Sequence, residues 1–454
     1  MLRLVLAELR HNLRLWVGAF IVIAAAATIL AISAGLFSTA FDLWTTDLIG
    51  DQDIEGIIGF AAMPAFLVAI TTVVVITSVA QLTVSEQRHS YALWQLVGVS
   101  PRKVTGVVMR QLAILSLLAA ATGVLVGWPF IQPLFDWLGT RVPSLAGLTA
   151  SLSPVAVALV VLASVLLTLV GGIRPARAAG ATPPIMALRS SATPHGGMSI
   201  ARWIWCALLL LAGVGMGAGI QSIPLSGIGS TGVFIPFVFG CAVACMGPIL
   251  VPLLLRAWTA LIPLTLSPSW FLARNASRYR VTQSASAIVP LSLGLILVGS
   301  FTSVLAMFDQ ALTLESGRGG PPADTTANLV VYGAPLILAT LAAAVTVFMS
   351  GRARERENAL ILAAGTTRAT IIATAVLEAV IYTATATILA LIVLIPSLGI
   401  VWAGMDKVVP RTEFIFDWIP FAGLAVLGLA ALIISTVAPT IYANRISIRA
   451  ALAA

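Results

Sequence analysis

The sequence predicts an all-α integral membrane protein with ten transmembrane helices, arranged as two parallel four-helix units joined by a two-helix spacer. Three observations support this fold class: an apolar composition, ten apolar stretches of membrane-spanning length, and an internal repeat. Of the 454 residues, 59% are hydrophobic and 9% are charged, against about 45–50% and about 25% in a typical soluble domain. So few charges cannot cover a soluble globule of this size, which excludes a soluble enzyme and a disordered chain.

Ten stretches are long enough to cross the hydrocarbon core of a bilayer, which takes roughly 20 residues of helix. They are predicted at residues 16–40, 58–82, 107–131, 153–173, 203–220, 231–255, 284–308, 328–350, 370–398 and 419–439. The first stretch is too long for the apolar core of a signal peptide, so we expect a retained helix. The connecting loops are too short for a folded domain. The sequence contains no G-x-x-x-x-G-K-[ST] run, so we expect this chain to bind no nucleotide or other cofactor itself.

The basic residues predict the orientation of these spans, because cytoplasmic loops are enriched in Lys and Arg. With the N-terminus inside, all but four of the 25 basic residues lie on the cytoplasmic side, and most of the 17 acidic residues lie outside. The four outside basic residues are Arg141, Arg318, Lys407 and Arg411. The net charge of +8 is therefore attributed to topology, with no nucleic acid as partner. Arginine outnumbers lysine, which favours a GC-rich bacterial genome. We expect a multi-pass protein of the bacterial cytoplasmic membrane with both termini cytoplasmic.

Two segments of the sequence repeat at an offset of 267 residues, which is the separation of Gly98 and Gly365. Each segment contains a mixed-charge helix, a turn with a glycine and a polar start of the next helix, and an apolar span follows. The pairs Ser100-Pro101 and Thr366-Thr367 suit the N-cap and first-turn positions of that next helix. The residues of the first copy are Glu86, Arg88, Leu93, Gly98, Ser100 and Arg102. The residues of the second copy are Arg354, Arg356, Glu357, Leu360, Gly365, Thr367 and Arg368.

The flanks of these segments repeat as well, because each half opens with a basic amphipathic stretch and closes with a basic segment after its fourth span. The sequence therefore divides into a first unit at residues 1–190, a two-helix spacer at 191–269 and a second unit at 270–454. The first unit holds spans 1–4 and an N-terminal amphipathic helix, and the second unit holds spans 7–10. Each unit crosses the membrane an even number of times, so the repeats are parallel.

This pattern resembles the FtsX-like permease family of ABC transporters, whose units carry a mixed-charge helix and a Leu-Gly-Ala-Ser-like turn between their second and third helices. Residues 97–100 (Val-Gly-Val-Ser) and 364–367 (Ala-Gly-Thr-Thr) match that turn loosely. Ten spans with a two-helix spacer resemble the BceB-type members of the MacB, Lol and BceB group. The loop at 309–327 is too short for the large extracellular domain of the BceB type. The resemblance implies a non-catalytic membrane subunit whose partner is a cytoplasmic ABC ATPase dimer that binds ATP and Mg²⁺.

The two glycine-turn segments have two interpretations. A short helix with both charge signs and an apolar face suits a groove on a soluble partner, here the ATPase. Alternatively, these are ordinary positive-inside loops. The repeated Leu-x₄-Gly pattern and the embedded acids favour docking, so we expect the residues of both copies to form ATPase-coupling sites.

Polar residues also occur within the spans at matching positions. Glu378 in span 9 and Gln111 in span 3 each follow their turn glycine by thirteen residues. A charge near the bilayer core costs from roughly 2.5 kcal/mol upward, so it usually has a role or a partner. A polar link between helices that transmits movement is favoured over a site for substrate or protons. Alternatively, the side chain of Glu378 reaches the cytoplasmic interface. The Gly123-x₃-Gly127 pair predicts close packing of helices within the molecule.

These features predict the permease subunit of an ABC transporter that moves or extrudes a hydrophobic or amphipathic substrate, such as a lipid-like, antimicrobial or toxic compound. Membrane lipid is an expected partner. One alternative is an FtsX-type signalling or regulatory module without transport. Another is an ion-driven carrier, which needs several buried ionisable groups, whereas the spans offer one at most. A membrane-embedded enzyme lacks support because no His or Asp cluster is present.

Overall fold

The computed structural model describes residues 13–46, 50–140, 147–181, 200–263, 265, 267–279, 281–316, isolated positions from 337 to 362, and 365–443. All regular structure in these ranges is helical, without strands. Nine described segments are long and apolar enough to cross a membrane. They correspond to nine of the ten predicted spans. The eighth predicted span, 328–350, falls largely outside the described residues, so the tenth helix stays a prediction.

The first compact unit comprises Met1–Thr193. Its helices are α1 (Leu13–Thr45), α2 (Asp51–Glu86), α3 (Arg88–Leu96), α4 (Pro101–Gly139) and α5 (Pro154–Gly180). Helix α1 packs along α4 and α2, and α5 packs along α4 and α2, so the four long helices form one bundle. A Cβ added at Gly123 would lie 2.6 Å from the Cβ of Ala27 and 2.7 Å from the backbone oxygen of Ala24. The predicted role of Gly123 in close helix packing is therefore confirmed.

The second compact unit comprises Pro194–Ala454. Its described helices are α6 (Ile200–Gly219), α7 (Leu225–Gly232), α8 (Phe234–Cys245), α9 (Gly247–Ala260), α10 (Pro268–Tyr279), α11 (Val281–Ser316), α12 (Arg368–Val408) and α13 (Trp418–Ala443). Helix α12 packs against α10, α11 and α13, while α8 packs against α6, α11 and α12. The helices of the sequence-defined spacer thus lie within the same compact unit as residues 270–454.

Two features of the helices differ from the predicted spans. The span predicted at 231–255 is interrupted at Met246, where α9 begins with Gly247 and Pro248. Proline has no backbone N–H to donate to the preceding turn, which favours a break at this point. The helices that contain predicted spans 3 and 9 also extend well past those spans: α4 has 39 residues and α12 has 41. At 1.5 Å per residue each is about 60 Å long, roughly twice the hydrocarbon thickness.

Candidate coupling site

Helix α3 is a short amphipathic helix fixed between α2 and α4. A single residue, Gln87, separates it from the end of α2. The ring of Tyr91 is fully buried, and its hydroxyl donates a hydrogen bond to Oε1 of Gln87. The side-chain amide of Gln95 donates to the backbone oxygen of Gly180 at the end of α5, at 3.1 Å. The Gln95 bond fixes one face of α3 to the end of α5, and the Tyr91 bond ties the same face to the junction with α2.

The opposite face of α3 exposes apolar side chains. Leu93 is 45% exposed, Leu96 is 53% exposed and Val97 is 87% exposed. Spacings of three and four residues put these side chains on one side of the helix. An apolar ridge on a helix that is held by its other face is a surface on which a partner can dock. Leu93 was predicted from the sequence to belong to this site, whereas the exposure of Leu96 and Val97 was not.

The turn after α3 is a Schellman motif centred on Gly98. The N–H of Gly98 donates to the oxygen of Gln95 at 3.0 Å, and the N–H of Val99 donates to the oxygen of Trp94 at 3.0 Å. These are the two hydrogen bonds that define this C-terminal cap, with glycine at the position that needs a positive φ. The φ of Gly98 is +94°. Helix α4 then begins only three residues beyond the glycine.

The second copy of the repeat has the same turn. The N–H of Gly365 donates to the oxygen of Leu362 at 3.0 Å, and the N–H of Thr366 donates to the oxygen of Ile361 at 3.3 Å. The φ of Gly365 is also +94°, and α12 begins three residues beyond it. The sequence repeat therefore encodes the same backbone geometry in both units.

The first residues of the following helices differ in detail between the copies. Thr367 is the N-cap of α12, and its side chain accepts a hydrogen bond from the N–H of Thr370 at 3.3 Å. Ser100 is the N-cap of α4, but its side chain makes no capping hydrogen bond. Arg102 and Arg368 are both exposed in the first turn of these helices. The N-cap predicted at Ser100 is thus confirmed, and in the second copy the N-cap is the second residue of the predicted Thr366-Thr367 pair.

Several predicted coupling residues cannot be placed at the level of side chains. Glu86 ends α2 and Arg88 begins α3, but their side chains are not among those described. Four residues of the second copy lie outside the described residues: Arg354, Arg356, Glu357 and Leu360. The charge pattern of the site and its role in coupling therefore remain predictions.

Gln111 and Glu378 are both buried within their own units. Gln111 is fully buried in α4, and Glu378 is 4% exposed in α12. Each lies ten residues beyond the first residue of its helix, which is about 15 Å at 1.5 Å per residue. Within the described ranges, neither Oε1 nor Nε2 of Gln111 has a hydrogen-bond partner. Glu378 therefore faces the interior of its unit, and its role as a polar link stays a prediction.

Sequence reasoning missed the residues that anchor α3. Tyr91 is buried and Gln95 makes a long-range hydrogen bond, and their residue types signal neither. One missed signal was available: Pro129 within α4 and Pro396 within α12 are also 267 residues apart. This shared proline extends the repeat from the turn to the far half of the third helix.

These features define an all-helical, multi-pass membrane protein built from a duplicated unit, with a glycine turn directly before α4 in one copy and before α12 in the other. Two regions match the model of the FtsX-like permease C-terminal family, residues 62–184 and 329–448. The matches begin 267 residues apart, the same offset as the two turn glycines. Together they cover more than half of the chain, which therefore belongs to the FtsX-like permease family. No curated protein matched the chain in a sequence comparison.

Membership of this family identifies the chain as a membrane permease component of an ABC-type system. Members of the family generally work with an ATPase partner. The first family match spans α3, its glycine turn and all of α4. The second spans Gly365 and all of α12. The coupling candidates therefore lie inside the regions that define the family.

Proposed function

We propose that this chain is the permease subunit of an ABC transporter, in which a separate cytoplasmic ATPase dimer drives movement or extrusion of a hydrophobic or amphipathic compound. The observation that supports this proposal is the exposed apolar ridge of α3 next to a rigid glycine turn, with the same turn in the second unit. The ATPase dimer would bind ATP and Mg²⁺. Each of its subunits would contact one of the two turn segments.

The connection from α3 to α4 suggests how a push would reach the membrane. Only the four residues Val97, Gly98, Val99 and Ser100 separate the two helices, and two of them are held by the cap hydrogen bonds. Displacement of α3 would therefore move the start of α4 instead of being absorbed by a loose loop. Helix α4 packs along α1 and α5, so a shift of α4 would be transmitted to the rest of its unit. Helix α12 would act in the same way in the second unit.

The class of substrate follows from where binding surface is available. The loops predicted outside the membrane are short, so they offer little surface to a large soluble ligand. The long helices instead expose apolar side chains along their length, including Leu125 at 67% and Leu166 at 52%. A lipid-like, antimicrobial or toxic apolar compound would reach such surfaces from the bilayer. We place the chain in the bacterial cytoplasmic membrane with both termini cytoplasmic.

The proposal is tested by measuring ATP hydrolysis in reconstituted vesicles. The purified chain alone is expected to hydrolyse no ATP, and a complex with its ABC ATPase is expected to hydrolyse ATP faster when an apolar substrate is added. Substrate should also leave the vesicle membrane only when ATP is present. ATP hydrolysis without any movement of substrate would instead support a signalling module. Hydrolysis by the purified chain alone would contradict the proposal.

The orientation is tested separately with reporter fusions. Fusions at Asp51 and Glu315 should report outside, and fusions at Ser90 and Ser267 should report inside, because the basic residues predict that arrangement. An inside signal from Glu315 would contradict the topology of the second unit.

A further inference from the structure

Two arginines of α10 reach the C-terminal end of α9. Nη2 of Arg278 donates to the backbone oxygen of Arg256 at 2.9 Å and to Oγ1 of Thr259 at 2.8 Å. Nη1 of Arg274 lies 3.5 Å from the backbone oxygen of Ile262. All these partners are neutral oxygens, so they fix the guanidinium groups without cancelling their charges. The dipole at the end of α9 offsets only about half of an elementary charge.

A third cation, Arg256, lies exposed in the last turns of α9. Burial and the neighbouring Arg274 and Arg256 cations lower the pKa of Arg278, so the three positive charges act on one another. Residues 137–308 contain no Asp and no Glu. The buried acid on the helix packed against α10 is Glu378 of α12. Within the described residues, none of the three arginines pairs with a carboxylate, so the cluster has an excess of positive charge.

The buried face of α10 adds polar groups that lack acceptors. Trp270, Arg274 and Ser277 are 4%, 8% and 1% exposed, and their spacing places them on one face of the helix. Among the residues that the structure describes, Nε1 of Trp270, Nε of Arg274 and Oγ of Ser277 have no hydrogen-bond partner. The large majority of buried side-chain polar atoms normally have one. The unsatisfied Nε of Arg274 belongs to the cationic cluster itself, so this guanidinium has donor capacity that its protein partners leave unused.

We propose that the junction of α9 and α10 binds the phosphate of an anionic phospholipid headgroup, with Arg256, Arg274 and Arg278 as its cationic ligands. Arginine forms paired hydrogen bonds with phosphate oxygens, which favours it over other cations at such sites. The proposal requires only that the chain is a membrane protein, so it stands or fails independently of the transport proposal.

The aromatic residues of the junction favour a lipid over free phosphate. The ring centroids of Trp258 and Trp270 are 6.4 Å apart, and both residues lie within one helical turn of a cluster arginine. Indole rings concentrate at the headgroup level of a bilayer. Helix α10 is also followed directly by the membrane-spanning α11. Basic residues at this depth attract anionic lipids in the cytoplasmic leaflet, which is where the predicted orientation places the junction.

The test measures binding of short-chain phosphatidylglycerol to the full-length protein in neutral detergent by native mass spectrometry. Phosphatidylcholine and inorganic phosphate are the comparison ligands. The variants are Arg274→Gln with Arg278→Gln, and the single exposed change Arg256→Gln. The matched control is Arg174→Gln with Arg177→Gln, which removes two exposed arginines one turn apart near the end of α5.

The wild type and the control pair should bind phosphatidylglycerol with similar affinity and phosphatidylcholine much more weakly. Arg256→Gln should weaken phosphatidylglycerol binding about fivefold, and the double change about 25-fold, from the usual contribution of one basic residue near a charged membrane surface. Arg256→Gln keeps the test valid if the double variant does not fold. Equal binding by the wild type and Arg256→Gln, or an equal loss in the control pair, would overturn the proposal. Displacement of the lipid by millimolar inorganic phosphate would overturn the assignment to a lipid.

Discussion

Substituting alanine for either turn glycine tests whether the Schellman motif fixes the coupling segment. The φ of Gly98 and of Gly365 is +94°, and an added Cβ would meet no atom within 4 Å at either site. The cost is therefore confined to the backbone, because there is no steric clash to add to it. A left-handed conformation costs an L-residue roughly 1–2 kcal/mol, which corresponds to a factor of about 5–30 in the population of the closed turn.

Hydrogen–deuterium exchange of the turn amides measures this population. Gly98→Ala should speed exchange at residue 98 and at Val99 by roughly 5–30-fold, and Gly365→Ala should do the same at its own turn. Gly106→Ala is the matched control, because Gly106 also has open space around it but lies inside α4 without a positive φ. That change should stabilise the helix by about 0.5–1 kcal/mol. Gly98→Asn should restore part of the protection, since Asn tolerates the left-handed region. Equal exchange rates at the amides of residues 98 and 99 in Gly98→Ala and Gly106→Ala would refute the reasoning.

Three further predictions concern packing, capping and buried polarity. Gly123→Val should lower the free energy of unfolding by about 1–3 kcal/mol, and with it the melting temperature, because even its Cβ would overlap Ala27. A melting temperature equal to that of the wild type would contradict the α1–α4 packing. Thr367→Ala should lower the free energy of unfolding by about 1 kcal/mol, because it removes the cap bond to Thr370. Ser100→Ala should change it by less than about 0.5 kcal/mol. Equal losses of stability for the two variants in denaturant unfolding would refute this difference. Gln111→Leu should leave stability unchanged or raise it by up to about 1–3 kcal/mol, since the amide makes no hydrogen bond in the described part of the chain. A clearly lower melting temperature would instead indicate a polar partner.

The sequence alone was sufficient to predict features that depend on residues close together in the chain. The apolar stretches predicted nine described spans because a membrane imposes a minimum length of apolar helix. Gly98 and Gly365 marked the turns because glycine alone adopts a positive φ without strain. The resemblance to the family rested on the duplication with matched topology, and the matched regions reproduce its offset.

Features that depend on tertiary contacts could not be predicted in this way. The bond from Gln95 to the oxygen of Gly180 joins residues that are 85 positions apart, and nothing in either neighbourhood signals it. The exposure of Val97 depends on which face of α3 the rest of the unit covers. Helix α11 is enclosed because α12, α13 and the spacer helices α8 and α9 all pack on it, so that 89% of its most apolar stretch is buried. An apolar sequence has the same pattern whether its helix faces lipid or protein.

The most direct test of the central claim is site-specific photo-crosslinking in cells from position 97, on the exposed ridge of α3. Position 419, at the start of α13, is the matched control, because Val97 is 87% exposed and Ile419 is 84% exposed while the predicted topology puts them on opposite sides of the membrane. The account predicts that a photoreactive residue at 97 captures an ABC ATPase, identified by mass spectrometry, and that one at 419 does not. Capture of the ATPase from neither position, or from 419 alone, would contradict the assignment of α3 as the coupling helix.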